Sequence, residues 1–273
     1  MKQLFILIIA ACLILPVHSG AQNRMLKKVI ELKMPKTVED NLCGTRGGSV
    51  CWNPVTKKYY AAFAGNTGFP MAVFDLKGKR LSDDDLITMK DIRGLWYDPV
   101  TKKICGNGYN ETGWFSYTLD KNGIPIEITV DHEGLNQPDE NSAGIYNPLK
   151  KEVIFLNKDE VTFYKTDATS NNTLTLPLAI IKSEDNGSDQ NSNKTSDEYN
   201  NTSVIYTGII GSELGVLNTT KKQIEFFSYS KGEKGKILNL PDDAPVESSF
   251  NFACCNGIYW VFDIKERTWL GFR

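Results

Sequence analysis

The sequence predicts an all-β protein with the architecture of a β-propeller, a ring of about five four-stranded blades, with six blades as the alternative. Two observations favour this fold. A pattern of short strands and polar turns recurs about every 45 to 60 residues, and no segment shows helical periodicity longer than one turn. A third concerns the ends of the pattern: the last repeat lacks its fourth strand, and an unassigned strand near the N-terminus can supply it.

The first residues predict a secretory signal peptide over 1–21. Lys2 gives a positive start, an apolar run extends from Leu4 to Val17, and small residues precede Gln22. The run is shorter than the ~20 residues that span a bilayer, which disfavours a signal anchor. We therefore expect a secreted, extracellular protein without a membrane span, located in the periplasm or at the cell surface if the source is bacterial.

Residues 22–273 are expected to form a single propeller domain. The whole chain has a formal net charge of −2, and its basic residues do not cluster, which argues against nucleic acid as a partner. Pairs of lysines recur at the predicted turns, where we expect solvated side chains.

The recurring unit begins with a strand that ends in an aromatic residue and a turn. The first three copies share Asn-Pro or Asp-Pro followed by lysines, beginning at Asn53, Asp98 and Asn147. Proline presets the turn dihedral and asparagine tolerates positive φ, so these dipeptides predict tight hairpins. Alignment on the aromatic residue gives five copies, whose key positions are Trp52, Tyr97, Tyr146, Tyr206 and Phe252.

Each copy continues with an apolar second strand, a third strand and a more polar fourth strand, which is the rhythm of a propeller blade. The predicted second strands are 59–63, 104–105, 153–156, 214–217 and 259–262, and the predicted third strands are 72–76, 115–119, 162–164, 224–227 and 268–270.

The two ends of the chain are predicted to close the ring. The last copy stops at Arg273, after its third strand, and the segment Val29–Lys33 alternates in polarity as an outer strand does. We expect this segment to complete the last blade. An open β-array or a twin sandwich is the alternative architecture, and a sixth blade would have to lie within 171–202.

Residues 183–202 predict a disordered loop inserted after the third blade. They contain one aromatic and no aliphatic residue, and such a segment cannot bury enough surface to offset its ordering entropy.

The repeats resemble those of the NHL, YWTD and gluconolactonase-like propellers. The likeness is carried by Trp96-Tyr97-Asp98-Pro99 and by Val73-Phe74-Asp75-Leu76-Lys77-Gly78, and it extends over most of 45–272. These motifs are structural, so the resemblance implies a fold and no particular activity. Gluconolactonase-like enzymes hold a divalent cation at the axis with a glutamate, asparagines and an aspartate, and those ligands are not matched residue by residue in this chain.

Five cysteines remain after residue 21, an odd number that leaves at least one unpaired or bonded to another chain. Cys43 and Cys51 flank a glycine-rich bend and are the preferred disulfide. No CxxC pair or histidine cluster supports a metal site, and no cofactor is predicted.

Seven Asn-X-Ser/Thr sequons predict glycosylation if the source is eukaryotic. They begin at Asn110, Asn171, Asn186, Asn193, Asn200, Asn201 and Asn218.

The candidate binding residues are three aromatics and one histidine. Phe69, Tyr109 and Trp114 lie near equivalent loops of two neighbouring blades, beside Asn, Thr and Gly, where they could stack on sugars or grip a peptide; packing between blades is the alternative. His132 lies between two acids on a presumed loop and could bind or act as a base, although a solvated side chain is the alternative.

These observations favour a non-enzymatic, extracellular binding propeller with a protein or glycan partner, because no catalytic motif accompanies the repeats. A metal-dependent hydrolase or lactonase with axial carboxylates and a divalent cation is the alternative, and a structural matrix protein is a third possibility.

Overall fold

The structure is a computed structural model that describes residues 24–35, 46–65, 67–178 and 198–273. Its strands form five antiparallel sheets that follow one another along the chain, each paired in sequence order from an inner to an outer strand. The chain is a five-bladed β-propeller.

The bounds of the strands follow the repeats. Blade 1 contains β3 (Arg46–Asn53), β4 (Lys58–Ala64) and β5 (Met71–Phe74); blade 2 contains β6 (Ile92–Asp98), β7 (Lys103–Gly108), β8 (Trp114–Leu119) and β9 (Pro125–His132), with one 3₁₀ turn at Asn110–Thr112. Blade 3 contains β10 (Ile145–Asn147), β11 (Glu152–Asn157), β12 (Glu160–Lys165) and β13 (Ser170–Thr175). Blade 4 contains β14 (Ile205–Tyr206), β15 (Leu214–Asn218), β16 (Gln223–Phe227) and β17 (Lys234–Asn239). Blade 5 contains β18 (Phe252–Cys255), β19 (Ile258–Asp263) and β20 (Thr268–Phe272), and β1 (Arg24–Met25) and β2 (Lys28–Lys33) precede blade 1 in the chain.

The N-terminal segment closes the ring, as predicted. Strand β2 pairs antiparallel with β20, with Leu32 opposite Trp269, and so becomes the outer strand of blade 5. The segment also does something that the sequence did not indicate: β1 pairs parallel with β17, so blade 4 gains a fifth strand. One short stretch of chain therefore fastens two neighbouring blades.

Blade 1 has an irregular outer edge. Its sheet has three strands, and the fourth position is occupied by a segment that makes isolated bridges at Arg80 and Ile87. The amide of Val73 donates to the hydroxyl of Ser82 at 3.0 Å, where a ladder hydrogen bond would otherwise run. The acidic run that begins at Asp83 is exposed in this segment.

The core is divided among the interfaces between blades. Among the described residues, one hydrophobic cluster lies at each of the five interfaces. Four clusters contain ten or more buried residues, whereas the cluster between blades 2 and 3 contains five, Trp96, Trp114, Tyr146, Val153 and Phe155. This interface is therefore the most sparsely filled of the five.

Buried amides link successive blades at one end of the axis. Asn107 Nδ2 donates to the carbonyl of Ser142 at 2.9 Å, and its Oδ1 accepts from the amide of Gly144 at 2.9 Å. Asn200 Nδ2 likewise donates to the carbonyl of Phe250 at 2.7 Å. Asn200 lies at the C-terminal end of the predicted disordered loop, where the structure gives it a buried, hydrogen-bonded position; residues 183–197 of that loop lie outside the described residues.

Candidate functional site

The hairpin turns between first and second strands all lie at one end of the axis, which we call the turn face. In three blades an acceptor side chain at the end of the inner strand caps the turn: Asn53 Oδ1 accepts from the amide of Val55 at 2.9 Å, and Asp98 and Asn147 make the equivalent bonds. Thr207 Oγ1 does the same for Ile209 at 3.0 Å in blade 4. The turns predicted from Asn-Pro and Asp-Pro are confirmed.

The tips of these turns expose aliphatic side chains. Val55, Val100, Leu149 and Ile210 are 69%, 67%, 79% and 94% exposed. Four of the five blades thus present a large apolar side chain at the equivalent turn. Isolated exposed aliphatics are ordinary, but these four recur at the same turn of successive blades.

Pairs of lysines accompany the aliphatic tips in the first three blades. Lys57, Lys102 and Lys151 are exposed, and each adopts the left-handed backbone conformation, with φ of 55°, 60° and 56°. Glycine or asparagine adopts this conformation at lower cost than lysine does. The turn therefore places a cation where the backbone alone would favour a different residue.

An apolar funnel lies at the axis within this ring. Its volume is about 410 Å³, and every inner strand contributes to its wall. Aromatic, cysteine and proline side chains line the funnel: Cys51, Trp52, Trp96, Tyr97, Tyr146, Tyr206, Cys254, Cys255, Pro54, Pro99 and Pro148.

The alignment of the fifth repeat on Phe252 was wrong. Cys254, not Phe252, occupies the place of the key aromatic, since Cys254 pairs with Tyr259 as Trp52 pairs with Tyr59. The turn in blade 5 is Asn256-Gly257 and is two residues shorter than the turn in blade 1, which shifts the register by two. A thiol therefore completes a ring of aromatics in the funnel wall.

We expect the thiols of the funnel to be unreactive at neutral pH. Cys51, Cys254 and Cys255 are free, and burial raises the pKa of each, to about 12 for Cys254. Thiolate, not thiol, is the nucleophile, so at neutral pH these side chains act as apolar lining. Cys43 lies outside the described residues, and Cys51 is a free thiol in the structure, so the predicted disulfide between them is not supported.

The opposite end of the axis is polar. A cavity of about 440 Å³ is lined there by Arg46, Asp139, Asn141, Asn157, Lys158, Asn201, Thr202, Ser249 and Phe250. Beside it the buried guanidinium of Arg93 forms an ion pair with Asp91 and lies 5.1 Å from the ring centroid of Phe250. Asp139 and the three amides offer oxygen ligands of the kind a hard cation takes. Within the described ranges, however, no three His, Cys, Asp or Glu side chains come together as metal ligands.

A third cavity lies between blades 2 and 3. It has a volume of about 430 Å³, and Trp96 and Tyr146 line both it and the axial funnel. Trp114 packs edge-on against Trp96, with ring centroids 5.7 Å apart, and forms the floor. Asp98, Lys103, Ser116, Asp131, His132 and Lys151 supply polar groups around it.

The four candidate binding residues do not form one site in the structure. Phe69 is fully buried, 5.9 Å from Phe63 between ring centroids, so this position serves packing between blades 5 and 1. Tyr109 lies under the guanidinium of Arg93 at 4.6 Å, and a hydrogen bond to Glu140 raises its pKa. The three aromatics therefore form no common surface.

Trp114 and His132 do come together, in the cavity between blades 2 and 3. Their rings meet edge to face with centroids 5.8 Å apart. His132 was expected in a loop, but it ends β9, the outer strand of blade 2. No sequence pattern indicates its pairing with Trp114, because a β-bulge between Trp114 and Phe115 sets that register.

Two of the predicted glycosylation sites, Asn200 and Asn218, are fully buried in the fold. Glycosylation at these two positions has no support from the structure. Asn110, Asn171 and Asn201 are exposed and stay predictions, whereas Asn186 and Asn193 lie outside the described residues.

Comparison with solved structures supports the fold. Glutaminyl cyclase of Myxococcus xanthus is similar with a TM-score of 0.54 at 8% identity, over 92% of this chain and 96% of that one. Virginiamycin B lyase of Staphylococcus aureus gives a TM-score of 0.40 at 14% identity, over 86% of this chain and 67% of that one. The nidogen/laminin complex gives 0.43 at 12% identity, over 80% and 73%. No protein-family model and no curated protein matches the sequence. Identities this low carry no activity over to this chain.

Proposed function

We propose that this protein is a secreted binding propeller that docks a protein partner on its turn face. The observation that supports this most strongly is the ring of exposed aliphatic tips around an apolar axial funnel. Burying such side chains at an interface removes apolar area from water, which is the main favourable term in association.

The lysines of the turn face define the chemistry of the partner. Lys57, Lys102 and Lys151 surround the aliphatic tips, although the whole chain carries a formal net charge of −2. In blades 1 to 3 a lysine thus lies in the same turn as the exposed aliphatic side chain. A partner that fits presents an apolar side chain for the funnel and carboxylates around it, because complementary charge speeds encounter and fixes orientation.

The extracellular location is part of the proposal. The signal peptide over 1–21 lies outside the described residues, and in the described part of the chain no helix is long and apolar enough to cross a membrane. Sequencing the N-terminus of protein recovered from the medium or periplasm tests this; a mature chain that begins at Gln22 agrees with it, and retained residues 1–21 contradict it.

A displayed peptide library tests the docking surface with a defined probe. We expect the selected peptides to combine acidic residues with an aromatic or aliphatic residue. A quadruple variant replaces all four aliphatic tips by serine: Val55→Ser, Val100→Ser, Leu149→Ser and Ile210→Ser. It should bind the selected peptides at least about tenfold more weakly, since buried apolar anchors dominate interface energies.

The matched control replaces exposed aliphatics away from the turn face. The variant Leu81→Ser, Leu135→Ser, Ile264→Ser removes side chains that are 43%, 49% and 37% exposed, and it should keep wild-type affinity. Equal loss in both variants, or no loss in the first, contradicts docking on the turn face. Binding to anionic vesicles without binding to any peptide would replace the protein partner by a membrane.

A further inference from the structure

We propose that the cavity between blades 2 and 3 binds a zwitterionic small molecule, namely a free amino acid or the end of a short peptide with an apolar side chain. This cavity shares Val100 and Lys151 with the turn face, whereas Asp131 lines the cavity alone, and its ligand does not depend on the docking proposal.

The cavity exists because this interface is underfilled. The cluster between blades 2 and 3 contains five buried residues, while each of the other described interfaces contains ten or more. The volume of about 430 Å³ lies within the range of small-molecule sites. Its floor is formed by Trp96, Trp114, Tyr146 and Val153, all of them buried.

The rim carries charges of both signs that have no ionic partner. Asp98 and Asp131 line one cavity with Lys103 and Lys151. The ion pairs found among the described residues involve none of these four side chains. A ligand with both an ammonium and a carboxylate group satisfies the two kinds of charge at once, which a sugar or a simple anion cannot do.

Two of these charges are positioned by a buried hydroxyl. Ser116 Oγ accepts from Lys103 Nζ at 3.3 Å and donates to Asp131 Oδ1 at 3.2 Å. Since Ser116 is almost fully buried, it holds an ammonium and a carboxylate side by side above the aromatic floor. Asp131 keeps its second oxygen for a ligand, whereas both oxygens of Asp98 cap the turn at Val100 and Thr101. Asp131 is therefore the expected ammonium partner.

His132 closes the outer end of the cavity. Its Nε2 lies 3.0 Å from the carbonyl oxygen of Thr166 in blade 3. Because a carbonyl oxygen only accepts, Nε2 carries the hydrogen and the ring bridges the two blades. A ligand whose ammonium group lies at Asp131 then extends its apolar side chain toward Trp114.

Titration calorimetry with L-tryptophan and L-phenylalanine tests the site directly. We expect saturable binding, and we expect N-acetylation of the ligand or amidation of its carboxyl group to weaken it by about tenfold each, as the loss of a charge-assisted hydrogen bond does. Asp131→Asn should reproduce the effect of N-acetylation, and Lys151→Met that of amidation. Indole fluorescence should change on binding, because Trp96 and Trp114 line the cavity.

The control variants Glu111→Gln and Lys121→Met remove exposed charges outside the cavity and should bind as the wild type does. Three results would overturn the proposal: no saturable binding by any amino acid, equal binding of the neutral N-acetyl amide, or tighter binding of a monosaccharide such as N-acetylglucosamine. The peptide selection on the turn face can succeed or fail independently of each of these.

Discussion

The two ends of the propeller axis differ in the chain segments that form them, which are hairpin turns at one end and connections between blades at the other. At the turn face, the hairpins of blades 1 to 3 have the same length and repeat the same cap and aliphatic tip, so that Val55, Val100 and Leu149 have similar exposure. At the opposite end, connections of unequal length run between blades, and buried amides such as Asn107 and Asn200 bind across them. The turn face therefore repeats one local structure, which our proposal makes a binding surface, and the opposite end carries specific contacts between blades.

The largest difference between the two ends should be in stability. Asn107→Ala removes a fully buried amide and leaves the amide of Gly144 and the carbonyl of Ser142 without partners. We expect the free energy of unfolding to fall by about 3 kcal/mol. Leu149→Ser at the turn face should change it by less than about 0.5 kcal/mol, since the side chain is already in water. Urea unfolding measures both, and comparable losses would contradict the division.

The dependence of the free energy of unfolding on alkaline pH tests whether water reaches the buried thiols. Burial raises the pKa of Cys105 and of Cys254 to about 12, from 9.0 for an exposed thiol. Below pH 9 the folded and unfolded chains both hold these protons. From about pH 9 to about pH 12 only the unfolded chain releases them, so the free energy of unfolding should fall by about 1.4 kcal/mol per pH unit for each thiol.

The variant Cys105→Ser, Cys254→Ser isolates this contribution, because the buried tyrosines are unchanged in it. Its free energy of unfolding, measured by urea titration under reducing conditions, should depend less steeply on pH above about pH 9 than that of the wild type. An unchanged slope would show that water reaches both sulfur atoms.

The smallest effect concerns the lysines in left-handed conformation at the turn face. Replacing Lys57, Lys102 or Lys151 by glycine should raise the free energy of unfolding by about 0.5 kcal/mol each, because glycine adopts positive φ without steric cost. The same changes should weaken binding of the selected acidic peptides. Stability that falls on substitution by glycine would mean that the lysines serve the fold, and asparagine variants separate charge from backbone effects.

The fold could be predicted because its signals are local. Asn53, Asp98 and Asn147 form their turns with neighbours two and three residues away, and a dipeptide pattern reports such contacts. The closing strand was also predictable, since the polarity of Val29–Lys33 alternates and the last repeat lacked a strand. By contrast, β1 is two residues long and has no pattern to detect.

The candidate sites were predicted only in part, since they depend on contacts between blades. Trp114 and His132 were singled out for their residue types, but their meeting depends on a β-bulge. Phe69 had the same local setting and is buried instead. The shift of the last repeat from Phe252 to Cys254 follows from a shorter turn, which alignment on aromatic residues could not reveal.

Hydrogen exchange with and without a selected acidic peptide tests the central claim most directly. The account predicts slower exchange in the turns that contain Val55, Val100 and Leu149, and no change near Asn107 and Asn200 at the opposite end. Protection confined to the opposite end, with the turns unchanged, would contradict it.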